Sequence, residues 1–241
     1  NTGINVVANG INVQAGILTA KNIIDASDAQ KNTRVGTNAG NSFDGTTATD
    51  NTLIGYDAGT AITTGDRNTA VGSYALDATT TATNNTALGY NSLTVNTTGG
   101  DNTGVGVYTL DANTTGEKNT GVGAAALSEN TTGDKNTALG VYALAGATTG
   151  DDNTAVGAYS LDAAVTGDKN TALGAYALTA NTTGANNIAI GYDALGDNTT
   201  GANNIAIGNN ALDANTTAND NTAVGYDALT ANTTGTANVA V

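Results

Sequence analysis

An asparagine returns every 17 residues along most of this chain: Asn51, Asn68, Asn85, Asn102, Asn119, Asn136, Asn153, Asn170, Asn187, Asn204 and Asn221. A looser 19-residue copy begins at Asn32, and a truncated NVAV starts at Asn238. A fixed step of this length describes a solenoid or array in which each unit stacks on its neighbours. The average unit reads N-T-A-V-G-x-Y-A-L-x-x-N-T-T-G-x-x, numbered 1 to 17 from the asparagine. The string NTTGANNIAIG stands at 181–191 and again at 198–208, one step on. The chain thus divides into a β-rich segment at 1–31 (GINVVAN followed by GINVQAG), an irregular first coil at 32–50, and regular 17-residue repeats over 51–241.

The columns differ in what they accept. Position 5 is Gly in every copy, and position 4 is always Val, Leu or Ile. Position 9 is Leu in ten of the eleven regular copies, with Gly59 the exception. Position 14 is always Thr, position 15 is Gly except at Ala82 and Ala218, and all nine Tyr fall at position 6 or 7. Several Thr and Asn per unit, with Gly at two fixed points, oppose a helix. β-branched residues bounded by Gly and Asn read as short strands between turns. Alternation within N-T-A-V-G puts positions 2 and 4 on one face and position 3 on the other. A second short strand is expected to include positions 8 and 9, with N-T-T-G turning the chain back. The predicted fold is all-β: a parallel β-solenoid of 17-residue coils stacked about 4.8 Å apart.

Periodicity overrides what composition alone suggests. Leu, Ile, Val and Phe number 42 of 241 residues, and the net charge is −14, a balance typical of disordered chains. In stacked coils, however, like sits above like, so Asn forms amide ladders and Val or Thr packs in rows. The structural ladder is carried in one unit by Asn187, Ile188, Ile190, Gly191, Leu195, Thr200 and Gly201. Gly at positions 5 and 15 suits a corner with φ > 0 or a place without room for Cβ. Positions 4 and 9 supply two large core side chains per coil. That is a thin core for 17 ordered residues, so further burial between chains is expected, with the small residues at positions 3 and 8 admitting a neighbour. The chain is read as a homo-oligomer.

The absent residue types exclude much chemistry. Without Cys there is no disulfide framework or thiolate site, and without His the commonest general base and transition-metal ligand are missing. No apolar run approaches a membrane-spanning helix, and seven basic residues against 21 acidic ones disfavour nucleic acid. The chain opens at Asn1 without Met, as a processed or partial chain would. Paired carboxylates at Asp151 with Asp152, or Glu117 near Asp134, have the residue types of a glycosidase pair but stand at variable turn positions. Asp77, Asp111, Asp162 and Asp213 recur at position 10 only every second or third coil, too sparsely for a calcium column. The chain is therefore read as non-enzymatic, with no cofactor and no metal. Ice binding needs Thr at alternating positions, whereas the Thr-Thr pair at positions 13 and 14 is adjacent. Sequons such as Asn96-Thr97-Thr98 and Asn181-Thr182-Thr183 arise from the period itself. Tyr192 and Tyr226 are candidate surface contacts, for sugar stacking or for packing between chains.

NNIAIG resembles the NSVAIG-type motif in the head repeats of YadA-like trimeric autotransporter adhesins. That resemblance implies a β-roll packed as a homotrimer, with Ile188 and Ile190 pointing into the core and Gly191 marking the turn. The family's repeat is shorter by a few residues, which makes N-T-T-G an enlarged outer loop here. The whole unit, as in NTAVGYDALTANTTG at 221–235, also resembles repeats in tail-fibre proteins of tailed bacteriophages. That similarity covers about 32–241, and residues 1–31 look like a further β-rich fibre segment. It implies the shaft of an extracellular homotrimeric fibre on a virion appendage, serving attachment to a host cell-surface glycan or protein. The alternative is the head of a bacterial surface adhesin, and a minor one is an ice-binding solenoid.

Overall fold

The computed structural model describes residues 4–7, 10–13, 30–43, 47–163 and 165–241. Strand β1 (Ile4–Val7) pairs antiparallel with β2 (Gly10–Val13), Ile4 opposite Val13. The remainder of the 1–31 segment lies outside the described residues, apart from Gln30 and Lys31. Everything from β3 (Thr33–Val35) to β15 (Val239–Ala240) forms one parallel sheet of thirteen strands in strict sequence order. Pairing is in register throughout: Thr154 lies beside Thr171, and Ala189 beside Ala206. The chain is an all-β parallel β-solenoid with one three-residue strand per coil, and twelve inter-strand steps of about 4.8 Å give a stack roughly 58 Å long.

The interior is narrow and evenly filled. Leu at position 9 is fully buried from Leu76 to Leu212, as are Ala at position 3 and the small residue at position 8, for example Ala189 and Ala194. Position 1 builds the longest polar feature. Each backbone N–H of this column donates to the Oδ1 of the Asn one coil earlier, from Asn51 onto Asn32 to Asn238 onto Asn221, at 2.9–3.0 Å. From Asn51 to Asn204 the Nδ2 also donates to the carbonyl of position 15 in its own coil, as in Asn187 to Gly201 at 2.8 Å. One side chain thus closes its own coil and locks to the previous one. Hydrogen bonds made in this way offset the desolvation of the buried amides and fix the register.

Three expectations are corrected. Ile188 and Ile190 do not enter the core: Ile188 is 37% exposed, Ile190 half-buried, and Ala189 between them is fully buried. The alternation holds, but the face is reversed, because a coil holding Leu at position 9 leaves room on the strand's inner side only for Ala or Gly. The small residues at positions 3 and 8 consequently fill the chain's own interior and offer nothing to a neighbour. The second strand is absent as well. Positions 7 and 9 adopt left-handed backbone, as at Asp193 (φ 56°) and Leu195 (φ 51°), so this segment is a compound turn. A non-Gly residue there costs about 1–2 kcal/mol, offset by burying a leucine worth about 1.5–3 kcal/mol. Inter-coil hydrogen bonds persist through the turn, for instance Leu195 N–H to the Ala211 carbonyl at 3.0 Å.

Gly191 shows why position 5 admits one residue type. Its φ is 137°, and a Cβ there would sit 2.5 Å from the Gly208 carbonyl oxygen in the next coil. Both the conformation and the stacking exclude a side chain.

Candidate functional site

With the inner side of the strand committed to the core, positions 2 and 4 face outward. The sheet's outer surface therefore carries a column of Thr, replaced by Ile188, Ile205 and Val239, beside a column of Val, Leu and Ile. The largest members stand furthest out: Leu88, Leu139 and Leu173 are 46–49% exposed. Past the Gly corner come Tyr and Val at positions 6 and 7, including the exposed Val107 and Val141. All exposed large hydrophobic residues of the described surface except Val95 belong to positions 2, 4, 6 and 7. In the regular copies no charged residue occupies positions 1–6. The outcome is a strip at positions 2–6, free of charge and with an aliphatic residue at position 4 in every regular coil, running the length of the sheet. An exposed apolar row of this kind is a candidate interaction surface.

The tyrosines are ordered along its margin. Tyr142, Tyr159 and Tyr176 stack with centroids 5.4 Å apart and planes within 12° and 4° of parallel. Tyr192 meets Tyr176 edge-on at 5.8 Å, and Tyr56, Tyr74, Tyr90 and Tyr108 form an edge-to-face series. In the stacked run each ring has a near-parallel neighbour 5.4 Å away, which leaves no room for a sugar between them. Tyr192 is 51% exposed and Tyr226 75% exposed, and both stand at position 6.

The N-T-T-G side differs. Thr at position 13 is mostly half-buried and its hydroxyl donates to the next coil's position-13 carbonyl, as Thr114 to Thr131 at 2.9 Å. Thr at position 14 is exposed in every coil, Thr200 among them, while Gly201 is buried. The turn thus presents one threonine per coil, not both. The sequon asparagines Asn96 and Asn181 are fully buried, each donating to its own position-15 carbonyl, Gly99 and Gly184, at 2.9 and 3.0 Å.

The carboxylates serve the turns. Asp134, Asp151 and Asp168 each accept the backbone N–H of the preceding coil's position 16 (Glu117, Asp134 and Asp151) at 2.7–2.9 Å. Asp152 lies 4.0 Å from Lys135 Nζ. Among the described residues no group of three or more carboxylates is placed to hold a metal ion. Partial burial raises the carboxyls of Asp77, Asp111, Asp162, Asp193 and Asp213 above the usual range, with nearby carboxylates adding to the effect. No helix is long and apolar enough to cross a membrane among the described residues.

The position-1 asparagines, the left-handed Leu at position 9 and the corner Gly build the scaffold that holds this strip in register. Sequence reasoning missed the strip because it placed the position-4 aliphatics inside. The clue was the column of Ala and Gly at position 3, which matches the narrow inner side. The chain matches no family model, no curated protein and no solved structure.

Proposed function

We propose that this chain is the shaft of an extracellular homotrimeric fibre, of the tail- or appendage-fibre kind by which a bacteriophage holds a receptor-binding tip against its host. The observation that carries the reading is the uncharged row of outward Val, Leu and Ile at position 4. A rod with one such strip has a surface suited to two further copies of itself, in contact over many coils. The resemblance of NTAVGYDALTANTTG to tail-fibre repeats supplies the biological setting, and the acidic turns keep the outer surfaces soluble. Sedimentation of the native chain should give a trimer, and Leu139→Asp with Leu173→Asp should give a folded monomer by circular dichroism. A wild-type chain that sediments as a monodisperse monomer overturns the reading. Labelled antibody located on virion fibres by electron microscopy supports the phage setting; label on a bacterial surface replaces it with the adhesin head.

A second reading is favoured by one specific finding. Thr at position 2 stands on the outer face in most coils beside the aliphatic of position 4, a regular threonine column that the adjacent Thr-Thr pair does not provide, with one Thr per coil instead of an alternating pair. A thermal-hysteresis measurement decides it: activity lost on Thr137→Lys establishes an ice-binding face, and none in the wild type removes it.

A further inference from the structure

Eight of the nine tyrosines form two series of four, Tyr56 to Tyr108 and Tyr142 to Tyr192, separated by Ala124 and Ala125, with Tyr226 outside both. Neighbouring centroids are 5.4–6.1 Å apart throughout. Tyr142, Tyr159 and Tyr176 occupy the same position in three consecutive coils, each with left-handed backbone (φ 54°, 57° and 61°). The inter-coil hydrogen bonds from Tyr159 N–H to the Val141 carbonyl and from Tyr176 N–H to the Ala158 carbonyl, both 3.1 Å, fix their spacing. Near-parallel rings repeated at centroid spacings of 5.4 Å bring the carbons ortho to each hydroxyl within reach of the neighbouring ring one coil away. Tyr142 and Tyr176 are exposed and Tyr159 half-buried, so solvent oxidants reach the edges that carry those carbons.

We infer that these two series are sites of oxidative dityrosine cross-linking, which staples successive coils of one chain together. A peroxide-driven haem peroxidase removes one electron and the phenolic proton from each of two neighbouring tyrosines. The two phenoxyl radicals join through a new bond between ortho carbons, and rearomatisation returns each transferred ortho hydrogen to a phenol oxygen. Overall two ring C–H bonds break, one C–C bond forms, and two protons and two electrons reduce one hydrogen peroxide to two waters. The fold holds the partners adjacent, so coupling is intramolecular and independent of protein concentration. This inference stands apart from the fibre reading, since it needs only the order of the coils.

The test uses the native full chain with horseradish peroxidase and limiting hydrogen peroxide, followed by trypsin. Cleavage after Lys135 and Lys169 places Tyr142 and Tyr159 in peptide 136–169 and Tyr176 in peptide 170–241. The Tyr159–Tyr176 link therefore joins those two peptides, and Tyr56–Tyr74 joins 35–67 to 68–118. Expected are dityrosine fluorescence, a denatured chain that still migrates as one polypeptide, and both joined pairs by mass spectrometry. Tyr159→Phe keeps a stacking ring, so it should abolish the 136–169/170–241 pair while sparing the 35–67/68–118 pair. Absence of dityrosine, links found only in covalent dimers, or persistence of the first pair in Tyr159→Phe each overturns the inference.

Discussion

Leu53 and Gly59 have exchanged core volume. In the coil starting at Asn51, position 3 carries Leu in place of Ala and position 9 carries Gly in place of Leu. Leu53 is fully buried, and a Cβ on Gly59 would come within 2.8 Å of its Cδ2. The interior holds one large aliphatic from this pair per coil, whichever side of the coil supplies it. Gly59→Leu alone should therefore overpack the coil by about 1–3 kcal/mol. Leu53→Ala alone should open a cavity costing about 2–5 kcal/mol. The double substitution restores Ala at position 3 and Leu at position 9, with the buried Ile62 still facing residue 59, and should recover part of both losses in a thermal-melt double-mutant cycle.

A second prediction concerns a broken ladder. Asn96, Asn113 and Asn130 pass hydrogen bonds up position 12 at 2.8 Å. The next coil has Ala147, and the buried Oδ1 of Asn130 has no partner. Ala147→Asn would supply the missing Nδ2 donor and close its own coil onto Gly150. A gain of about 1 kcal/mol is expected, read as a rise in melting temperature of a few degrees.

The reversed face of the strand is directly testable. Leu195→Ala should destabilise the folded chain by about 2–5 kcal/mol, because Leu195 is fully enclosed. Ile188→Thr, which reproduces the residue of most other coils, should change denaturant stability by less than about 0.5 kcal/mol. Equal losses at the two sites would restore the isoleucines to the core.

Acidity should strengthen the rod. The raised carboxyls of Asp77, Asp111, Asp162 and Asp213 reflect burial that penalises the ionised form. Such a group binds its proton more tightly folded than unfolded, so its penalty is full above the folded pKa and relieved as pH falls through it. Melting temperature should rise between neutral pH and the carboxylate range. Asp111→Asn should raise it at pH 7 by about a degree or two, and flatten the dependence.

Much of the architecture is legible from the repeat. The 17-residue step, the Asn ladder and the Gly corner each follow from stacking like upon like, and in-register pairing places Asn187 on Asn170 as the period demands. The apolar strip was not legible, because alternation fixes which residues share a face without saying which face is inside. Leu195 at φ 51° lay beyond local reasoning too, since a β-branched and aliphatic vocabulary suggests a strand there.

Sequence alone determined the period, the strand through positions 2–4, and the residues that must repeat, because each of these constraints acts between equivalent atoms one coil apart. Only the tertiary structure decided what lies inside. The left-handed turns at positions 7 and 9 swing a leucine into every regular coil but the one with Gly59, and beside that leucine the strand contributes only Ala or Gly. Ile188, Ile190 and the other position-4 aliphatics are therefore turned outward, and the surface available to partners is set by the volume of the core.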